Sequence, residues 1–286
     1  WSGSLQIAVF SWALGSSDPL ALAGIALVTA ALFLKAAVVP FHAWAPDAYE
    51  GASAPVTAYM ATIIKAGVLL AALRVFGTMP VVAPVAGLIA VLPLLSMAWG
   101  NLAALRQTSF RRMIAYSSIA HAGYLFYALL GAGEGRWEAI VFYLIVYGLM
   151  NVLAFAALPR GADDERQDHL DALKGLYQRR PFAAVMIAMA MLSLAGLPPL
   201  PGFAAKFLIF RNVLAAGYTG YAVAGLVASY LGLYFYLRVI QYMFMAEQDP
   251  AAARGAPRRY AVLASVLCLV PAVLLMLFPG WLIDRL

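Results

Sequence analysis

The chain reads as a succession of apolar runs, most of them about the 20 residues that a helix needs to cross the hydrocarbon core. Eight runs are predicted to be membrane helices: 20–39, 54–76, 81–105, 112–131, 138–158, 182–215, 219–246 and 260–279. Residues 1–19 begin with a shorter apolar stretch and are expected to form an interfacial, non-membrane segment. Residues 20–286 then make a single membrane domain. In lipid every backbone polar group must find its partner inside the protein, so runs of this length predict an all-α polytopic bundle. No short solenoid-type repeat interrupts the pattern.

Composition fits that reading. Of 286 residues, 64% are hydrophobic and 11% charged, too few charges to cover a soluble surface. A soluble enzyme, a disordered chain and a conventional nucleic-acid binder are excluded. The net charge of +6 sits in short stretches between apolar runs rather than on a basic face. Cys268, the single cysteine, allows neither an internal disulfide nor a multi-cysteine cluster. Residue 1 is Trp and no signal-type segment follows it, so residues preceding Trp1 in the natural product, or a trimmed chain, are expected.

Orientation follows from Lys and Arg near the span ends. Arg106, Arg111 and Arg112 lie between spans three and four. Arg160, Arg166, Lys174, Arg179 and Arg180 lie in the 159–181 loop, and Arg254, Arg258 and Arg259 between spans seven and eight. The opposite side has Arg74, Arg136, Arg211 and Arg285. The richer side is expected to be cytoplasmic. The 159–181 loop reads as a solvated segment with a short amphipathic helix.

Four basic residues fall within the spans: Lys35, Lys65, Lys206 and Arg238. Arg238, in the last third of its span, is expected to snorkel outward. Lys65 lies at the middle of 54–76, where inserting a lysine costs about 2.5–3.5 kcal/mol. Lys35 lies on the span that runs into Pro40, and Lys206 follows an interruption at Gly196–Gly202. An ionisable group at such depth must face the bundle interior or a wet cavity; the alternative is a snorkelling lysine near a helix end. Desolvation favours neutral amine, so a buried lysine can exchange its proton near neutral pH, whereas arginine keeps its own. Lys35, Lys65 and Lys206 therefore read as stations of a proton path.

The interruptions support that reading. As one helix, 182–215 would be about 51 Å long, against a core of about 30 Å. Gly196, Pro198, Pro199, Pro201 and Gly202 must open it. The first span ends in a similar break, from Pro40 to Pro46. Two interrupted spans of opposite direction point to an inverted-repeat transporter. His42, beside the first break, reads either as a proton carrier or as a satisfied interfacial histidine. His121, near Tyr116, Ser117 and Ser118, is polar enough in its surroundings to hold water and is a second candidate relay. Three scattered histidines make no metal site. All thirteen acidic residues lie in loops or at span ends. A carboxylate partner for Lys35 is therefore expected from residues before Trp1.

Three stretches carry a family resemblance: KAAVVPFHAWAPDAYEGASAPVTAYMATIIKAG (35–67), GNLAALRQTSFRRMIAYSSIAHAGY (100–124) and MLSLAGLPPLPGFAAKF (191–207). They resemble the antiporter-like membrane subunits of respiratory complex I. PDAYEGASAPV is similar to the N-type subunit, whereas sister subunits and multi-subunit cation/proton antiporters tend to carry a histidine-bearing acidic run there. The resemblance implies a 14-helix inverted-repeat fold, of which this chain looks like the last eight helices, with the N-terminal part missing. It matches Lys35, Lys65 and Lys206 to the family's membrane lysines and His42 to the histidine near the first. It also implies a glutamate on the missing fifth helix. By the same resemblance, the chain carries no redox cofactor. FMN, iron–sulfur clusters and quinone belong to other subunits, and the partners are other complex I membrane subunits, the bilayer, protons and internal water. The expected activity is proton translocation in a bacterial inner membrane, as part of a proton-translocating NADH:quinone oxidoreductase. Two rivals are a cation/proton antiporter subunit, which would use the same lysines, and a membrane-embedded transferase using His42 and Asp47, which has no need of Lys65.

Overall fold

The computed structural model describes residues 6–7, 13–77, 83–131, 134–159, 169–245 and 259–283. Much of the expected interfacial segment 1–19, and residues 160–168 of the expected loop, lie outside them. The principal helices, in chain order, are α1 (Pro19–Ala36), α2 (Trp44–Gly51), α3 (Ala54–Phe76), α4 (Ala83–Ala104), α5 (Phe110–Tyr127) and α6 (Glu134–Ala157). They continue as α7 (Pro181–Ala195), α8 (Pro201–Ala215), α9 (Thr219–Tyr230), α10 (Leu233–Met245) and α11 (Arg259–Leu277). Among the described residues six stretches are helical, long and apolar enough to cross a membrane, and α7 and α8 cross as two halves.

Local chemistry sets the ends. α1 starts under Asp18, whose carboxylate accepts from the Leu20 amide at 2.7 Å, with Pro19 in the first turn where a missing donor costs nothing. It stops at Ala37, in the left-handed region at φ 61°, with the Val38 amide donating back to the Phe33 carbonyl at 2.9 Å. α7 stops in the same way at Gly196, φ 84°, with the Leu197 amide donating to the Leu192 carbonyl at 3.2 Å. Both are Schellman closures followed by proline. The run read as 20–39 thus ends at Ala36, and α2 follows as a short helix that the apolar pattern did not show.

α1 and α7 run in opposite directions. Arg112 pairs with Asp47 at 2.7 Å and Glu50 at 2.8 Å, which fixes α2 beside the start of α5. The Leu170 amide donates to the Thr108 carbonyl at 2.8 Å, which brings the segment before α7 to that same end. The discontinuous helices are therefore inverted relative to each other.

α5 is the centre of the bundle. The Phe110–Leu130 stretch is 94% buried, and its mean hydropathy of 1.3 is the lowest of the six spans. α4 packs tightly along it. A Cβ on Gly100 would stand 2.7 Å from the Ala120 amide nitrogen, and one on Gly123 would stand 2.5 Å from the Pro93 carbonyl oxygen. Small residues let the two backbones approach in this way, as they do between membrane helices generally.

Three readings are refined. The run 219–246 is not one helix but α9 and α10, parted at Leu231–Gly232. The Asn101 side chain wedges there, donating to the Ala228 carbonyl at 2.9 Å, and its Oδ1 lies 2.7 Å from where a Gly232 Cβ would be. Arg238 reaches the bundle end beside Arg106, but against protein rather than open interface. It is half-buried and donates to the Leu105 and Gln107 carbonyls, closing the turn after α4. Arg136, read as a loop residue, is buried and donates to the Gly131 carbonyl at 2.7 Å and the Gly77 carbonyl at 2.8 Å.

Candidate functional site

Lys65 and Lys206 enter the bundle from opposite flanks of α5. α3 is wound as a π-helix over Met60–Ile64, and Lys65 is the first residue after that turn. Such turns shift the register of the side chains that follow, and they concentrate at functional positions. Lys65 is 3% exposed and donates to both the carbonyl and the hydroxyl of Ser118 on α5. The Ser118 hydroxyl also meets the buried Tyr49 hydroxyl at 3.2 Å, which ties α2 to the same point.

Lys206 lies across the second break. Its ammonium group donates to the Ala195 carbonyl at 2.9 Å and the Ser229 hydroxyl at 3.1 Å, and sits 5.0 Å from the Tyr124 ring centre. Ala195 ends α7, so Lys206 faces the negative end of a half-helix, a favourable place for a cation. Gly196 is required here twice. Its φ of 84° strains any side chain, and a Cβ would come 2.8 Å from Lys206 Cδ.

His121 stands between the lysines. Its Nε2 meets the Tyr236 hydroxyl at 2.9 Å and its Nδ1 the Tyr143 hydroxyl at 2.8 Å. Tyr236 continues to the Ser117 hydroxyl. The Tyr147 ring lies 4.8 Å from the His121 ring, and Lys65 Nζ is 5.6 Å from the Tyr147 ring centre. Beyond His121 is a cavity of about 10 Å3, lined by Tyr143, Tyr147, Ser193 and Lys206 among others. That volume is about the least that holds one water. Together these groups make a nearly continuous polar file from Lys65 past His121 to Lys206, inside an otherwise apolar core. A file of exchangeable O–H and N–H groups ending in two amines can hand on protons. Among the described residues no group of His, Cys, Asp and Glu could hold a metal ion.

The other two candidates lie elsewhere. Lys35, expected to meet a carboxylate from residues before Trp1, lies on the exposed face of α1 rather than in the file with Lys65 and Lys206. The register of α1 buries Phe33 and Ala36 and turns Lys35 outward. Near it the Trp44 indole N–H donates to the Leu34 carbonyl at 3.0 Å. His42 is half-buried, with its ring edge-on to Trp99 at 6.3 Å. Sequence reasoning missed the tyrosines. Their signal was present as polar positions at helical spacing in apolar runs: Tyr143, Tyr147 and Asn151 on α6, and Ser117, His121 and Tyr124 on α5.

Inverted discontinuous helices around a buried lysine–histidine file define an antiporter-like membrane subunit. Comparison with known proteins names the group. The family described as NADH:quinone oxidoreductase/Mrp antiporter, transmembrane, matches residues 2–232, and the chain belongs to that family. Its relatives include NADH-quinone oxidoreductase subunit N of Pelobacter propionicus, 42% identical over 248 residues, 87% of this chain and 53% of that protein. The subunit N of Chloroflexus aggregans is 45% identical over 82% of this chain and 50% of its own length. The chain thus spans about half the length of the curated relatives it matches. Among solved structures, a chain of respiratory complex I from Thermus thermophilus superposes with a TM-score of 0.82 at 38% identity, covering 97% of this chain and 64% of that one. A chain of the Mrp complex from a Dietzia species gives 0.81 at 25% identity, covering 99% and 61%.

Proposed function

We propose that this chain is part of a proton-translocating N-type subunit of a bacterial NADH–quinone oxidoreductase, spanning the inner membrane beside other membrane subunits of that complex. The observation that carries the proposal is the convergence of Lys65 and Lys206 on His121 within a buried hydrogen-bonded file. Protons move along this file and its water. The chain itself holds no redox group, and quinone reduction takes place in other subunits. Lys35, on the outward face, pairs with an acidic group of a neighbouring helix. The test is Lys206→Ala in the intact complex, with proton uptake by inverted membranes followed during NADH oxidation. Pumping should fall while assembly holds, and it should be indifferent to replacing sodium by potassium. A flux that requires sodium would favour the antiporter reading, which the likeness to the Mrp chain keeps in view.

Orientation is part of the same proposal, with the end that holds α2, Arg112 and the 169–180 segment in the cytoplasm. Asp171, 68% exposed at that end, offers the site for a label. A cysteine introduced there should react with an impermeant thiol reagent in inverted membranes and stay silent in intact cells. The opposite pattern would reverse the topology.

A further inference from the structure

Two of the groups around Lys206, the Ser229 turn and the Tyr124 ring, are gripped by a single side chain from α4. Asn101 is 3% exposed, and its Nδ2 donates to the Ala228 carbonyl at 2.9 Å and to the Tyr124 hydroxyl at 3.3 Å. The amide nitrogen carries two hydrogens, one for each acceptor. The Tyr124 hydroxyl interacts with Ser229 as well. Gly100, the residue before Asn101, lies backbone to backbone on α5 at Ala120, which fixes where the Asn101 side chain starts. The helix it meets is shaped to receive it. In an unbroken α-helix the Ala228 carbonyl would accept from the Gly232 amide. Here the Gly232 amide donates to the Ser229 carbonyl at 3.2 Å, one residue short, and Asn101 supplies the missing donor. Gly232 leaves the room, since a Cβ there would stand 2.7 Å from Asn101 Oδ1 and 3.2 Å from Cγ. Ser229 belongs to this turn, and its hydroxyl is an acceptor for Lys206 beside the Ala195 carbonyl. Without the Asn101 donor, the buried Ala228 carbonyl would be left unsatisfied. The nearest remedy is for the Gly232 amide to return to it, which winds α9 into α10 and moves Ser229 with the turn.

We propose that Asn101 is a positioning residue for Lys206: it keeps α9 and α10 parted at Leu231–Gly232, so that the Ser229 hydroxyl and the Tyr124 ring stay on the ammonium group. The proposal rests on the proton-translocating reading above, because the placing of Lys206 has a consequence only where Lys206 exchanges its proton. Asn101 takes and gives no proton itself. It acts through the two neighbours that it holds.

The test uses the intact complex in inverted membranes, with a pH-sensitive dye, NADH as the substrate, and pumping normalised to assembled complex. Asn101→Leu keeps the size of the side chain and removes both donors, and proton uptake per NADH oxidised should fall several-fold. Gly232→Ala leaves Asn101 in place but drives its Oδ1 aside, and should give the same loss. In an Asn101→Ala background the new methyl has room, so Gly232→Ala should add nothing there. A double-mutant cycle with Ser229→Ala separates positioning from mere stability. If Asn101 acts through Ser229, the double variant Asn101→Leu with Ser229→Ala should pump no worse than the weaker single variant. A purely structural role would add the two losses. Normal pumping in assembled Asn101→Leu and Gly232→Ala overturns the proposal, as do additive losses in the cycle or a loss that only follows a fall in assembled complex. Lys206→Ala is the reference. Normal pumping there overturns the translocation reading and this proposal with it; loss there, with normal pumping in the Asn101 and Gly232 variants, overturns this proposal alone.

Discussion

Lys65→Ala in the intact complex should cut proton pumping by about two orders of magnitude, the scale of losing a proton-transfer group. The chain should still insert, because the substitution removes a charge that costs about 2.5–3.5 kcal/mol at mid-span. Lys65→Arg should fail to pump as well. Arginine preserves the charge and reaches Ser118, but it does not release its proton. Pumping assays on the two variants, normalised to assembled complex, separate the roles: full activity with arginine would leave Lys65 only a fixed charge. The geometry makes the difference sharp. Lys65 is 3% exposed and its hydrogen-bond acceptors are the carbonyl and hydroxyl of Ser118, with no carboxylate paired to it among the described residues.

The second large effect lies in the broken helix. At Gly202 a Cβ would stand 1.8 Å from the Ser193 carbonyl oxygen and 2.6 Å from its carbon. Those are backbone atoms of the facing half-helix, and the Gly202 amide is bonded to the Ser193 hydroxyl at 3.1 Å. Nothing there can step aside. Gly202→Ala should therefore cost more than about 3 kcal/mol, beyond ordinary overpacking. It should appear as loss of the protein from the membrane and a lower melting temperature of the purified complex. Gly217→Ala is the matched control. Its φ is 87° and it has open space around it, so it bears only the left-handed strain of about 1–2 kcal/mol. Equal behaviour of the two variants would show that α7 and α8 are not held as closely as described.

The spans were legible because length and apolarity are properties of a single run. So were Lys65 and Lys206, since a charge inside such a run stands out without any neighbour. The departures come where a distant side chain decides. The break between α9 and α10 is made by Asn101, more than a hundred residues away, and the run shows only Gly232 as a trace. The π turn before Lys65 leaves no mark in Met60–Ile64, which is ordinary apolar sequence. α2 was read as a loop because Pro46, Asp47 and Glu50 break the apolar pattern; its helix is held by Arg112 instead. Lys35 was read from its depth as a charge whose partner lies outside this chain, and the register of α1 places it on the exposed face. His121 was weighed as one polar residue among several, whereas its importance lies in the two tyrosines that come to it from other helices.

The central position of α5 also bears on how such a protein is made. A helix that carries Ser117, Ser118, His121 and Tyr124 is the one least suited to bare lipid, yet the finished bundle hides it almost completely. Synthesis delivers helices to the membrane in order, and α4 comes immediately before α5. The glycine contacts at Gly100 and Gly123 let the two lie together as soon as both have emerged. Ser118 meets Lys65 and Tyr49, which are already in place, whereas Ser117 and His121 wait for Tyr143 of α6 and Tyr236 of α10. The polar file around His121 is thus completed only when α10 arrives, well after α5 itself has entered the membrane.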